Sequence, residues 1–194
     1  MNNTTPTPDP AANGATPLAQ MPQAFADPRV TDAVQLLIAQ HRALEHRMDR
    51  FDDLSPPERA ALVAEVGDEL GVHLASEEEV FYPAVRERST EGQLLESLEE
   101  HLSLKRLLAD LLAMDPADPT YEPKFKVLRE QTEHHDREEE EDLFPKVQRL
   151  LDAGQREALG QRMLDWQHRM ARGERGEAPR DTIAGQTDKA MPLD

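Results

Sequence analysis

The segment His73-Leu-Ala-Ser-Glu77-Glu-Glu-Val-Phe-Tyr-Pro83 returns 62 residues later as His135-Asp-Arg-Glu-Glu139-Glu-Glu-Asp-Leu-Phe-Pro145, with the histidine, three glutamates in a row and the proline all in register. A second pair aligns at an offset of 60: His41 over His101, Ile38 over Leu98, Leu44 over Leu104 and Met48 over Leu108. The chain therefore reads as two pseudo-equivalent helix pairs, each supplying one lone histidine and one His-x-x-x-Glu.

Local signals agree with helices. Segment A opens at Asp27-Pro28, a cap followed by a proline at the first helical position, and runs to about Asp53 with Val34, Leu37, Ile38, His41, Leu44, Met48 and Phe51 on one stripe. Segment B opens on Ser55-Pro56-Pro57-Glu58, a capping box with proline at the first turn, and continues to about Arg88. Thr90 with Gln93 predicts a second capping box for segment C, which carries Leu94, Leu98, His101, Leu104, Leu108 and Leu111 up to Asp115-Pro116. Segment D spans about Thr120 to Leu151, and beyond Gly154 a shorter helix over about 155–172 carries Leu159, Met163 and Trp166. Short connections between long helices make sequential neighbours antiparallel, so the expected fold is all-α: an up-down-up-down four-helix bundle over 27–173 with a short fifth C-terminal helix. Residues 1–26, rich in Pro, Asn, Thr and Ala, and 174–194 carry no apolar period and read as disordered tails.

Charge narrows the partners. With 22 Lys and Arg against 39 Asp and Glu, a formal charge of −17 repels both nucleic-acid phosphates and anionic membrane surfaces. No stretch approaches the roughly 18 apolar residues of a membrane span and no basic, apolar leader opens the chain, so a cytoplasmic protein is the default. The chain has no cysteine, which excludes disulfides, thiolate metal sites and thiol nucleophiles.

Residues four apart on a helix differ by only about 40° in azimuth, so His73 with Glu77, and His135 with Glu139, can reach one metal site. Each lies where an apolar residue is expected: Val66, Leu70, His73, Glu77, Phe81 and Val85 share one phase, as do Leu128, Thr132, His135, Glu139, Leu143 and Val147. A single histidine on an apolar stripe is usually a hydrogen-bonded core residue, and acidic runs are usually solvated faces. Four inward histidines with two inward carboxylates are another matter, because burying them costs several kcal/mol, on the order expected for unpaired polar groups, unless a cation compensates. Imidazoles and carboxylates without sulfur suit iron, manganese or zinc, and six ligands exceed the needs of one tetrahedral zinc, so two metals bridged by Glu77 and Glu139 fit better. The Glu-x-x-His pattern of ferritin-like diiron proteins is absent. His46, His134 and His168 fall off the inward stripes and read as surface residues.

The order His, His-x-x-x-Glu, His, His-x-x-x-Glu, with Phe-Tyr-Pro and Leu-Phe-Pro after the acidic runs, resembles the hemerythrin HHE cation-binding domain over about residues 30–172. The resemblance implies two iron ions, oxo- or hydroxo-bridged, held by His41, His73, Glu77, His101, His135 and Glu139. The chain departs from the oxygen-carrying members in two places. A further histidine four residues after the third-helix histidine is replaced by Lys105, and the Asp usual five residues after the fourth-helix histidine by Glu140, while Glu139 keeps the spacing of segment B. Glu45, four residues after His41, is the nearest substitute ligand. Its alternatives are an acceptor orienting a histidine or a salt bridge to Lys105.

The leading functional expectation is a diiron protein that binds or reacts with dioxygen, peroxide or nitric oxide. The alternatives are an iron-handling or iron- and oxygen-sensing module without turnover, and a helical interaction domain whose inward histidines are structural. No Ser-His-Asp constellation or Gly-rich phosphate loop supports a hydrolase or nucleotide enzyme.

Overall fold

The structure, a computed structural model, describes residues 31–172 and 178–193, and those residues are helical without a strand. The helices are α1 (Ala33–Met48), α2 (Pro56–Ser76), α3 (Tyr82–Val85), α4 (Glu91–Ala113), α5 (Tyr121–Glu138), α6 (Phe144–Leu150), α7 (Ala153–Ala171) and α8 (Pro179–Ala184). Helix α1 packs on α2, α2 on α4, α4 on α5 and α5 back on α1, so four long elements surround one core. That core is continuous from Leu36, Leu37 and Leu44 through Val66, Leu70 and Phe81 to Leu104, Leu108, Phe125 and Leu128. Stacked rings of Phe51, Tyr121 and Phe125 close its lower end, with the Phe51 and Phe125 centroids 3.9 Å apart.

The start signals are partly as read. The Asp27-Pro28 start lies outside the described residues. Helix α1 begins at Ala33, where Asp32 accepts from the N–H groups of Val34 and Gln35 at 3.0 and 3.3 Å. Glu58 reaches back to the Ser55 N–H at 2.9 Å, as a capping box requires. Thr90 does something else: its hydroxyl accepts the Glu87 N–H and donates to Val85 O, closing the turn before α4, while Gln93 accepts from Lys146.

The repeat extends to an irregularity that the pattern did not announce. Residues Glu77–Phe81 and Glu139–Leu143, again 62 apart, each form a π-helical turn, with Tyr82 N–H donating to Glu77 O and Phe144 N–H to Glu139 O. The cause is visible in the sequence: Pro83 and Pro145 have no N–H for the carbonyl four residues back, and the backbone widens by one residue ahead of each.

The expected disordered C-terminal tail is corrected over 178–193. Helix α8 packs on α2 and α4, with Pro179 and Ile183 buried. Gly67 and Gly71, one turn apart on α2, make room: a Cβ on Gly71 would sit 3.1 Å from the Pro179 backbone, and one on Gly67 3.0 Å from Arg180 Cβ. The fully buried Asp68 between them accepts from the Arg180 guanidinium at 2.7 Å and from its backbone N–H at 3.2 Å. The fifth helix read at 155–172 is α7; it is not short, with 19 residues against 16 in α1, and it packs on α1 and α2, while no described helix is long and apolar enough to cross a membrane.

Candidate metal centre

Helices α1, α2, α4 and α5 each turn one histidine into the core midway along the bundle, and none of His41, His73, Glu77, His101, His135 and Glu139 is more than 1% exposed. The four rings share one orientation. Each Nδ1–H donates outward: His41 to Glu140 at 2.9 Å, His73 to the Gln40 carbonyl at 3.1 Å, His101 to Glu78 at 3.0 Å and His135 to Glu100 at 2.8 Å. Each Nε2 then points inward, the arrangement in which an outer acceptor fixes the tautomer of a metal-binding imidazole.

The inward atoms converge. Glu77 Oε2 lies 3.4 Å from His73 Nε2 and 3.5 Å from His101 Nε2, Glu139 Oε2 lies 3.6 Å from His41 Nε2, and the Nε2 atoms of His101 and His135 are 3.1 Å apart. Donors bound to one metal at about 2.0–2.2 Å lie on the order of 3–3.5 Å from one another, so these spacings suit metal coordination. Two triads result, His41–His73–Glu77 and Glu77–His101–His135, and Glu77 belongs to both. Seven buried side-chain polar atoms among the described residues have no hydrogen-bond partner. Six of them meet here: His41 Nε2, His73 Nε2, both Glu77 oxygens, Glu139 Oε2 and Asp136 Oδ1. Buried polar groups are seldom left unpaired, so the donor set fits a cation.

Without a cation the charges are distributed unevenly. Burial disfavours the His41 imidazolium, yet Asp136, Glu139 and Glu140 overcome it and raise its pKa to about 10. Burial, reinforced by the Glu139 carboxylate, pushes Glu77 well above the usual carboxylate range. Burial by itself raises Glu139, but the facing His41 ring and the surrounding imidazoles hold it low. His73 goes the other way, lowered well below its ordinary value by burial and then by repulsion from His41.

The structure brings together all six residues singled out in the sequence and leaves out the seventh. Glu45 is about half exposed and pairs with Arg42 at 3.5 Å. Lys105 does not reach it either: the buried amine bonds both oxygens of Glu78 at 2.7 Å and Gln186 at 3.1 Å, so its charge is neutralised beside His101. Glu140 holds the outer face of His41 and Glu139 the inner one. His46 and His134 are exposed and His168 is half-buried, off the centre.

Sequence reasoning missed Asp136, Tyr82 and three of the outer acceptors. Tyr82 donates to Glu139 Oε1 at 2.9 Å and lies 3.1 Å from His101 Nε2. On a straight helix it would stand roughly 140° from Glu77. The π-turn brings it over Glu77 instead, and the register of the two prolines was its only sequence trace. Gln40, Glu78 and Asp136 each sit next to a ligand in sequence, about 100° off its stripe on a straight helix, where the periodicity assigns them to another face.

The sequence matches the hemerythrin HHE cation binding domain over residues 32–147, more than half of its 194 residues. The chain belongs to the hemerythrin HHE family. This hemerythrin-like chain is also 35% identical over 89 residues to a DNA nickase of Nostoc sp. (strain PCC 7120), a stretch covering 46% of this chain and 25% of that protein. The chain thus spans about a quarter of that relative's length. No solved structure matches. As a member of this family the chain is a metal-cation-binding protein.

Proposed function

We propose that this hemerythrin-like chain, an up-down-up-down bundle, holds two iron ions through His41, His73, Glu77, His101, His135 and Glu139 and uses them to bind or reduce dioxygen, peroxide or nitric oxide. The observation that carries the reading is the pair of donor triads sharing Glu77. A carboxylate common to two sets of imidazoles would serve to hold two metals, and sulfur-free imidazole and carboxylate donors suit iron. When bound, a ferrous pair supplies two electrons to a small oxidant. The protein's own part is to orient and exclude. The four outer acceptors fix the imidazoles, Tyr82 holds the Glu139 carboxylate and offers a proton at its hydroxyl, and the rings of Phe81, Tyr82 and Phe144 keep the centre dry.

Metal analysis of iron-supplemented protein, with stopped-flow spectra of the reduced form against each of the three oxidants, tests this. The expected result is about two irons per chain, as a carboxylate-bridged pair requires, and a spectral change with at least one oxidant. Stoichiometric zinc, or no change with any of them, sinks it.

One observation favours a second reading, an iron- or oxygen-sensing module without turnover. Lys105 joins the centre to the C-terminal segment, touching Glu78 on one side and Gln186 on the other, while Arg106 and Arg86 hold backbone carbonyls of Thr187, Asp188 and Leu193. That reading predicts metal-dependent proteolysis of 178–193 and no catalytic turnover. DNA nicking is not carried over: the matched stretch is a quarter of the nickase, and a charge of −17 opposes a phosphate backbone.

A further inference from the structure

We infer that Asp136 is a metal ligand in its own right, specific to the His41 side of the centre, so that the two metals of the proposed pair sit in unequal surroundings. The inference rests on the diiron reading above and deepens it. Asp136 lies next to His135 on α5, and its side chain is only 9% exposed. Its Oδ1 has no hydrogen-bond partner and faces His41 Nε2 at 3.7 Å, nearly the distance from Glu139 Oε2 to the same nitrogen, 3.6 Å. No amide, hydroxyl or guanidinium satisfies that oxygen, although Arg42 and Arg137 line the same cavity of about 300 Å³ in whose wall Asp136 stands. Arg42 turns instead to Glu140 and Glu45, and Arg137 to His134. A buried carboxylate oxygen that receives no hydrogen bond and stands one donor spacing from a metal-facing nitrogen is placed for a cation.

The opposite side has no equivalent. By the repeat, the residue matching Asp136 is Leu74, which is apolar and buried. The place where the oxygen-carrying pattern adds a histidine is Lys105, whose amine is committed to Glu78. The His41–His73 side therefore carries an extra anionic donor, and the His101–His135 side carries none. The side with fewer protein ligands, His101–His135, is the one left for a small exogenous ligand.

Iron-57 Mössbauer spectra and metal counts of the iron-loaded full chain, compared with Asp136→Asn and Asp136→Glu, test this. The expected wild-type result is two iron environments of equal population. Asp136→Asn should alter one environment only and weaken retention of that iron against a chelator at least tenfold, the scale for losing an interaction at a metal site. Asp136→Glu, which keeps the carboxylate, should restore the count of two. The inference is overturned if Asp136→Asn retains both irons with the wild-type spectrum, or if the wild type shows one environment for both. Wild-type protein that takes up no iron refutes the diiron reading itself, a separate outcome. Far-ultraviolet circular dichroism of each metal-free variant separates lost ligation from lost folding, and if Asp136→Asn does not fold, Asp136→Ser takes its place: one altered environment in a folded Asp136→Ser upholds the inference, and both irons with the wild-type spectrum overturn it.

Discussion

The histidines and glutamates of the centre were legible because their chemistry conflicts with their position: a polar residue on an apolar stripe has to be explained. The residues that escaped are those whose position is ordinary and whose partners come from other helices. Lys105 is the clearest example. Its place four residues after His101 was visible, but its partner Glu78 sits in an acidic run whose other members resemble a solvated face. The pair is testable. Removing one member of a buried ion pair costs about 3–5 kcal/mol because the other charge is stranded. Lys105→Ala should therefore lower stability by about that much in urea unfolding, and the double change with Glu78→Gln should recover part of the loss. His41 gives a pH prediction. Its folded pKa of about 10 exceeds the ordinary imidazole value of 6.5, so it stabilises the metal-free chain fully below that lower value, and the contribution disappears as pH rises through about 10. Thermal melts of metal-free protein should fall across that window. A metal must also displace the His41 proton, so loading at pH 7 should release about one proton from that ring, and affinity should rise with pH. Calorimetry in buffers of different ionisation enthalpy detects it.

Among the elements, those long enough to show a period were readable and those held by local backbone geometry were not. Helix α8 has six residues, too few for an amphipathic pattern, and its docking surface is a pair of glycines that look unremarkable within α2. Their spacing of four was the available clue. Gly71→Leu should push α8 away and release 178–193 to protease while the metal content stays unchanged, as limited proteolysis with metal analysis can show. Gly160 makes a stricter demand, because a Cβ there would lie 1.9 Å from the Thr31 carbonyl oxygen, where α7 crosses the start of α1. Gly160→Ala forces backbone to move, and a loss of roughly 1–3 kcal/mol or more is expected, read as a lower urea midpoint.

At the level of the whole molecule, one element order and one repeat were enough to indicate an all-helical fold, because four inward histidines need four helices around a shared core. Of the outer layer, α7 showed its own apolar spacing, whereas α8 stayed hidden because it contributes neither ligand, repeat nor period. Every inner donor of the centre comes from the four long elements, so metal occupancy should stabilise the assembly as a unit. At a free metal concentration about a hundredfold above Kd the gain is about 2.7 kcal/mol, or roughly 5–10 °C in Tm for a domain of this size. Calorimetry before and after chelation should show that difference. The outward bonds of the four histidines also decide how the interior exchanges protons with water. Two end on partly exposed carboxylates, Glu140 at 19% and Glu100 at 24% side-chain exposure. The other two end on Glu78, 1% exposed at its side chain, and on fully buried Gln40, which passes its hydrogen bonds only to Gln167 within the core. The centre is thus grounded to solvent on its His41 and His135 sides and insulated on the other two. Glu140 and Glu100 are therefore the acceptors nearest to water for a proton leaving the His41 and His135 rings.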